Sequence, residues 1–277
     1  MRHAHRNRRV TLSPSLQIGF TLVELVAVIV LLGVIGIGLV NFIAGSAEAY
    51  REVTRRNEIA QIGRFAIERV TRELRSALPG SVRVTGNCIE FVPVHGASIY
   101  TELPINGVSP AADQFSVINF VPRGTISRAA VYTLDAADVY SAANHIIPIA
   151  FSSASTVAGE TSIDFSTTGQ SFAEQSPGRR IYFVDQPVSF CVDAVSRSLF
   201  RHADYGYSAT QASPPGNAAL LAEFIQLNDG GAITPFAFNP GTLQRNGTVH
   251  VDFRFLARGT TDEWIRFSHD IALRGLP

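Results

Sequence analysis

Between Gly19 and Val40 the chain runs GFTLVELVAVIVLLGVIGIGLV, apolar throughout except for one carboxylate, Glu24. From Phe20 to Ala44 this acid is the single charge, and as a helix rising about 1.5 Å per residue the segment exceeds the ~20 residues that cross a bilayer core. A carboxylate at that depth costs roughly 2.5 to 3.5 kcal/mol on insertion scales, so it calls for a partner and marks a functional position. The chain contains no lysine, and the nearest arginines are Arg9 before the run and Arg51 after it. Cutting the chain just before Phe20 would supply the missing cation as a new α-amino group, placed to meet the Glu24 of another copy.

Arg2, Arg6, Arg8 and Arg9 precede the span, whereas Glu48 and Arg51 are the first charges beyond it. The positive-inside bias therefore predicts that residues 1–19 are cytoplasmic and that the body lies on the other side of the membrane. A secretory signal peptide is the competing reading, with Ala47-Glu48-Ala49 as a small-x-small cleavage site. The uncharged stretch Leu25 to Val40 is longer than the usual apolar core of about 7 to 15 residues, and Glu24 has no role in such a peptide. An ordinary signal anchor with a stray glutamate is the plainer alternative.

Gly19-Phe20-Thr21-Leu22-Val23-Glu24 followed by an apolar helix resembles the class III signal of type IV pilins and type II secretion pseudopilins. That resemblance implies cleavage after Gly19 by a prepilin peptidase, N-methylation of Phe20, and a contact in the assembled filament between Glu24 and a neighbouring Phe20 amine. Arg64 to Arg75 (RFAIERVTRELR), Cys88 to Pro93, Phe190-Cys191-Val192-Asp193 and the terminal Leu273 to Pro277 narrow it further. These segments are similar to the MshO family of minor pilins of mannose-sensitive haemagglutinin (MSHA) pili, and more distantly to the J-type minor pseudopilins of type II secretion. The implied partners are other minor and major pilins, the prepilin peptidase and methylase, and the inner-membrane assembly platform. Major pilins often carry a helix-kinking proline in the anchor, and none lies between Phe20 and Leu78. With the size of the body, this favours a low-copy subunit that initiates assembly or sits at the filament tip.

Removing the leader leaves 19 arginines against 23 acids, a balance that gives no support to nucleic-acid binding. Only Cys88 and Cys191 are available for a disulfide. Outside the cytoplasm their pairing is the favoured expectation, worth roughly 4 to 5 kcal/mol for a loop of about 100 residues, against two separate buried thiols. No CxxC and no histidine at ligand spacing point to a metal, and no cofactor motif is present. HExxH, P-loop and G-x-S-x-G patterns are missing too, so the chain is not expected to be an enzyme. His202 with Asp204 and His269 with Asp270 are the pairs one could imagine relaying protons, although solvated or hydrogen-bonded side chains explain them as well. Asn228-Asp229-Gly230-Gly231 supplies too few carboxylates for calcium and reads as a turn. Asn246-Gly247-Thr248 matches a glycosylation sequon and is also a hairpin signal.

Beyond the anchor the helical pattern becomes amphipathic. Val53, Ala60, Ile67 and Leu74 repeat every seven residues, Gly63, Val70 and Ala77 form the adjoining row, and Glu52/Arg56 and Glu68/Arg72 stand four apart on the wet side. One helix is predicted from Phe20 to Leu78, stopped by Leu78-Pro79-Gly80, with residues 20–44 as the transmembrane half and 45–78 as the amphipathic half. Gly33, Gly36 and Gly38 weaken it by about 1 kcal/mol each relative to alanine, which suits either loosening on assembly or close helix packing.

Residues 79–277 read as a β-rich body. Strands are expected at 81–85, 88–94, 115–121, 146–151, 162–165, 180–185, 188–193 and 198–202. A final hairpin joins 248–257 to 263–273 across Arg258 to Asp262, with Val249, Val251, Phe253 and Phe255 facing inward. Segment 216–227 is read as a short helix or turn feeding that hairpin, and the surroundings of 152–171 and 205–216 as exposed loops. The fold class is α+β: a long N-terminal helix packed on a mostly antiparallel sheet. A filament subunit of pili, its counterpart in type II secretion, and a membrane-tethered periplasmic enzyme or binding protein are the three functional readings the sequence carries forward.

Overall fold

The computed structural model describes residues 19–141, 143–151, 156–157, 159–211, 217–228, 231–242, 245–257, 263–273 and 275. The leader arginines, Asp229-Gly230, the turn expected at 258–262, Ser152 to Ser155 and the terminal Arg274, Leu276 and Pro277 lie outside these residues. The fold is α+β, and the chain divides into two compact units after Thr54.

Helix α1, Leu22–Leu74, is 53 residues long, or about 80 Å at 1.5 Å per residue. It begins two residues after the expected start and ends four before the expected stop. Thr21 accounts for the first difference, because its Oγ1 accepts the backbone N–H of Glu24 at 3.3 Å and so caps the helix from outside. Sheet pairing accounts for the second: Leu78 N–H donates to the Val92 carbonyl at 2.8 Å, and Val94 N–H to the Ser76 carbonyl at 2.8 Å. Gly80 then turns the chain at φ +79, a conformation that favours glycine, against the backbone of Leu134 and Asp135.

In the unit Arg55–Pro277 the helix buries Ile59, Gly63, Ala66, Val70 and Leu74. The stripe expected through Ala60 and Ile67 is therefore centred about one residue away, on the row containing Gly63 and Val70. Ala60 and Ile67 sit at its margin, half-buried, while Val53, in the N-terminal unit, is exposed. Charged side chains along the helix also reach the sheets of the body. Arg56 meets Glu263 of the final hairpin, and Arg69 and Arg201 both bind Glu73.

After the helix come β1 (Arg83–Thr85), β2 (Cys88–Phe91), β3 (Val94–Glu102), β4 (Gln114–Ile118) and β5 (Arg128–Ala130). The short α2 (Ala136–Tyr140) follows, then β6 (Ile146–Ala150), β7 (Thr156–Val157), β8 (Glu160–Phe165) and β9 (Arg180–Val184). The chain ends with β10 (Val188–Asp193), β11 (Ser198–His202), β12 (Ala218–Ala222), β13 (Phe236–Asn239), β14 (Thr248–Leu256) and β15 (Trp264–Ala272).

Every pairing among these strands is antiparallel. One sheet has the order β1-β2-β10-β11-β12 and a second the order β13-β14-β15. The helix from Ile59 to Leu74 covers both, over a core that includes Phe91, Phe190, Val251, Phe253 and Phe255. The inward residues Val249, Val251, Phe253 and Phe255 are buried as expected.

The remaining strands form something that periodicity did not reveal. Their order is β4-β3-β9-β5-β6-β8, and β4 pairs with β8, so six strands close on themselves with β7 on the rim. Closure removes the open edges of the ring. Its interior is packed with Phe115, Val117, Ile147, Ile163, Phe165, Phe172 and Phe183. The whole barrel is an insertion: the chain leaves the first sheet at Phe91, builds residues 94–184, and re-enters at Val188, paired directly with Phe91. A smaller cluster of Leu78, Val92, Val139, Tyr140, Tyr182 and Val184 fills the junction.

Several expectations change accordingly. Residues 94–102 and 128–130 are strands of the barrel. Segment 218–222, expected to be helix or turn, pairs with β11 as an edge strand despite its alanines. The strand expected at 162–165 forms as part of β8, with Ile163 and Phe165 buried, so the stretch around 152–171 is not exposed loop throughout, and the 205–216 region buries Gln211. Asn246-Gly247 leads into β14, while the hairpin between β13 and β14 is closed by reciprocal hydrogen bonds of Thr242 and Arg245.

Candidate functional site

Gly19 and Phe20 are exposed and outside regular secondary structure immediately before α1, Phe20 with 76% of its surface free. Thr21 caps the helix and Glu24 occupies its first turn, as the fourth residue of a T-x-x-E pattern. That is the capping-box spacing, in which a glutamate three residues after the cap can reach back to the cap's own N–H. The sequence reading passed over this signal. It gives Glu24 a local role, complementing the positive end of the helix dipole from the first turn, in addition to any role toward another molecule.

From Leu25 to Ile43 the large apolar side chains stay exposed. The large hydrophobic residues from Leu22 to Ile43 keep between 42% and 78% of their surface exposed. A Cβ added at Gly33, Gly36 or Gly38 would meet nothing within 4 Å, so no contact inside the chain requires glycine there. Among the described residues α1 is the one helix long and apolar enough to cross a membrane. This is compatible with single-pass anchoring, and the exposed surface must be covered by lipid or by other chains.

In the body, Cys88 on β2 and Cys191 on β10 are register partners and form a disulfide, with Cα atoms 4.1 Å apart. It joins the two strands between which the barrel is inserted, three residues from the Phe91/Val188 junction, across a sequence separation of 103. A cleft of about 520 Å³ opens beside it, lined by Gly86, Asn87, Asp193, Phe200 and His202.

The charged groups of the body are arranged as supports. Arg83 and Glu90 face each other across β1 and β2, form an ion pair, and are almost completely covered. Tyr205 donates its hydroxyl to Glu90 at 2.9 Å and also meets Ser189. The Arg83 guanidinium stacks 3.6 Å over the Tyr140 ring and donates to the carbonyls of Ser208 and Ala209. Burial pushes the phenols of Tyr140, Tyr205 and Tyr207 above the ordinary tyrosine range, with the Glu90 carboxylate adding to the effect at Tyr140 and Tyr205.

The imagined His269/Asp270 pair is not formed. Successive residues of β15 point to opposite faces, and Asp270 binds His250 across the strands at 2.7 Å instead. His202 is buried beside the disulfide cleft. Among the described residues no group of three or more histidine, cysteine, aspartate or glutamate side chains could hold a metal ion.

Comparison with protein-family models, with characterised proteins and with solved structures finds no match.

Proposed function

We propose that the chain is a minor pilin of an MSHA-like type IV pilus, held in the inner membrane by α1 until assembly, with the body in the periplasm. The observation that carries the reading is the uncovered apolar start of α1, with exposed Gly19-Phe20 ahead of it and Glu24 as its only charge before Glu48. Cleavage after Gly19 would create an α-amino group at Phe20. In lipid, a carboxylate without a counter-ion is costly, and the ammonium of a second subunit would neutralise Glu24 once the helices pack side by side.

Prepilin peptidase and methylase act first in this scheme, and the assembly platform then brings the subunit to other minor and major pilins. A body of more than 200 residues with an inserted barrel fits a low-copy position at the tip or in the initiating complex, where bulk does not have to repeat along the shaft.

Mass spectrometry of the mature N-terminus tests the proposal. An N-methylated Phe20 is the expected result, and a terminus at Tyr50 would replace this reading with ordinary secretion. Glu24→Gln then separates the two roles of that residue. Glutamine can still complete the capping box but carries no charge, so the variant should be processed normally and assemble poorly. Wild-type filament numbers with Glu24→Gln would reduce Glu24 to a helix cap.

A further inference from the structure

Among the described residues, strand β15 pairs on one side only. Two hydrogen bonds fix the phase of that pairing: Leu273 N–H donates to the Gly247 carbonyl at 2.9 Å, and Ala257 N–H to the Glu263 carbonyl at 2.8 Å. Bonded pairs alternate along an antiparallel ladder, so the odd residues of β15 bond to β14. Trp264, Arg266, Ser268, Asp270 and Ala272 consequently direct their N–H and C=O groups outward. Nine consecutive residues pair with β14 without a bulge, and none of them is proline. The charged side chains Arg266 and Asp270 are drawn back onto β14 by Asp252 and His250. The devices that usually close an edge to other chains are therefore missing from β15 or turned inward.

Helix α1 adds a second wall. Phe267 packs against Gly63, and a cleft of about 620 Å³ opens between helix and edge, lined by half-buried Ile67 and Phe267 and by exposed Arg72, Arg75 and His269, with Glu68 as its single acid. Neither Arg72 nor Arg75 forms an ion pair with a described residue. Directly paired residues share a face of a sheet, and the odd residues Ile265, Phe267 and Ile271 pack on the helix side. In a strand laid antiparallel on β15, the side chain opposite His269 would therefore stand beside Arg72 and Arg75, which favours a carboxylate. Two positions on, the side chain opposite Phe267 would stand over Ile67 and the ring, which favours an apolar group. A second copy's β15 does not fit. Arg56 meets Glu263 and Gly63 meets Phe267, so α1 and β15 run the same way. An antiparallel pair of these edges would oppose the two helices, whereas copies anchored in one membrane are oriented alike.

We propose that the groove between α1 and the edge of β15 receives an extended strand of a different protein, antiparallel to β15 and carrying an acidic residue two positions before an apolar one. The inference depends on the body and does not require cleavage at Gly19.

Titration of the full-length chain in detergent with the end-blocked peptide TTRESLTVT tests it, since its Glu and Leu fall opposite His269 and Phe267 when its Ser meets Ser268. The peptide should bind saturably and slow amide hydrogen exchange at Arg266, Ser268 and Asp270, whose N–H groups point outward. The peptide TTRKSLTVT should bind at least about tenfold more weakly, and Arg72→Glu combined with Arg75→Glu should reverse that preference. Ser268→Pro removes one outward N–H without touching the ladder to β14, so it should keep the wild-type denaturant midpoint and lose the peptide. No saturable binding to the folded wild type, or equal affinity for the two peptides, would overturn the proposal. Unchanged affinity in folded Ser268→Pro would overturn it as well, because the backbone edge would then not be what holds the peptide. If the proline lowers the midpoint, the charge-reversed variant alone decides. The mass of the N-terminus, measured on the same samples, reports separately on the pilin reading.

Discussion

Cys88 and Cys191 are joined twice, once as register partners on neighbouring strands and once through sulfur, at the two strands between which the barrel is inserted. The bond therefore holds the first sheet together across a 103-residue excursion of the chain. In the chain-entropy account a loop of this size is worth about 4 to 5 kcal/mol, since the open chain must otherwise bring β2 and β10 together over the whole insertion. Cys88→Ser with Cys191→Ser should lower the denaturant midpoint by a corresponding amount. An unchanged midpoint would show that the barrel itself holds the strands in register.

Gly63 is required by Phe267. A Cβ at position 63 would lie 2.1 Å from Cε2 of the ring, so the ring must move before even alanine fits. Overpacking of this kind costs about 1 to 3 kcal/mol, against the gain of roughly 1 kcal/mol that alanine brings to a helix. Gly63→Ala should be net destabilising, and less so in a Phe267→Leu background. Equal losses in both backgrounds, measured by urea denaturation, would show that the contact is not the cause.

The helix and the final hairpin were legible in the sequence because their patterns are long. The apolar run with its lone acid marks the helix, and strict alternation from Val249 to Phe255 marks β14. The barrel was hidden for a physical reason: β5 has three residues, and β3 spreads one fully buried side chain, Tyr100, over nine positions. Closure between β4 and β8 is a long-range pairing that leaves no local signature. Gly96 on β3 shows the same limit, since only the packed structure reveals the Phe120 ring that a Cβ there would meet at 2.7 Å. At the N-terminus the residues of interest were readable, but Thr21 was seen as part of a motif and not as the helix cap it forms.

Buried phenols give the body an alkaline limit. Tyr140, Tyr205 and Tyr207 have folded-state values raised above the ordinary 10.0, chiefly by burial. The unfolded chain loses these protons first, so above that value the unfolded state binds fewer protons than the folded one and stability falls as pH rises. The contribution is fully present below pH 10 and declines above it. Denaturant midpoints should be insensitive to these groups from pH 7 to 9 and drop beyond 10. Substituting Phe at Tyr207, which donates to the Asp185 carbonyl at 2.7 Å, should make the decline shallower.

Arg83 and Glu90 offer the sharpest test of how the first sheet is supported. Only 2% of the Glu90 side chain and 14% of the Arg83 side chain are accessible, so each charge depends on the other in a place that water scarcely reaches. Removing one member leaves a buried charge, a loss typically of about 3 to 5 kcal/mol, whereas replacing both with apolar groups of similar volume is often close to neutral. Arg83→Met should therefore be severely destabilising. It also releases the carbonyls of Ser208 and Ala209 and uncovers the Tyr140 ring, so the double variant Arg83→Met/Glu90→Leu should recover part of the loss but not all of it. A double-mutant cycle in chemical denaturation reads the coupling directly. Strictly additive losses would mean that the guanidinium acts through its stacking and carbonyl contacts, with the carboxylate neutralised by other means.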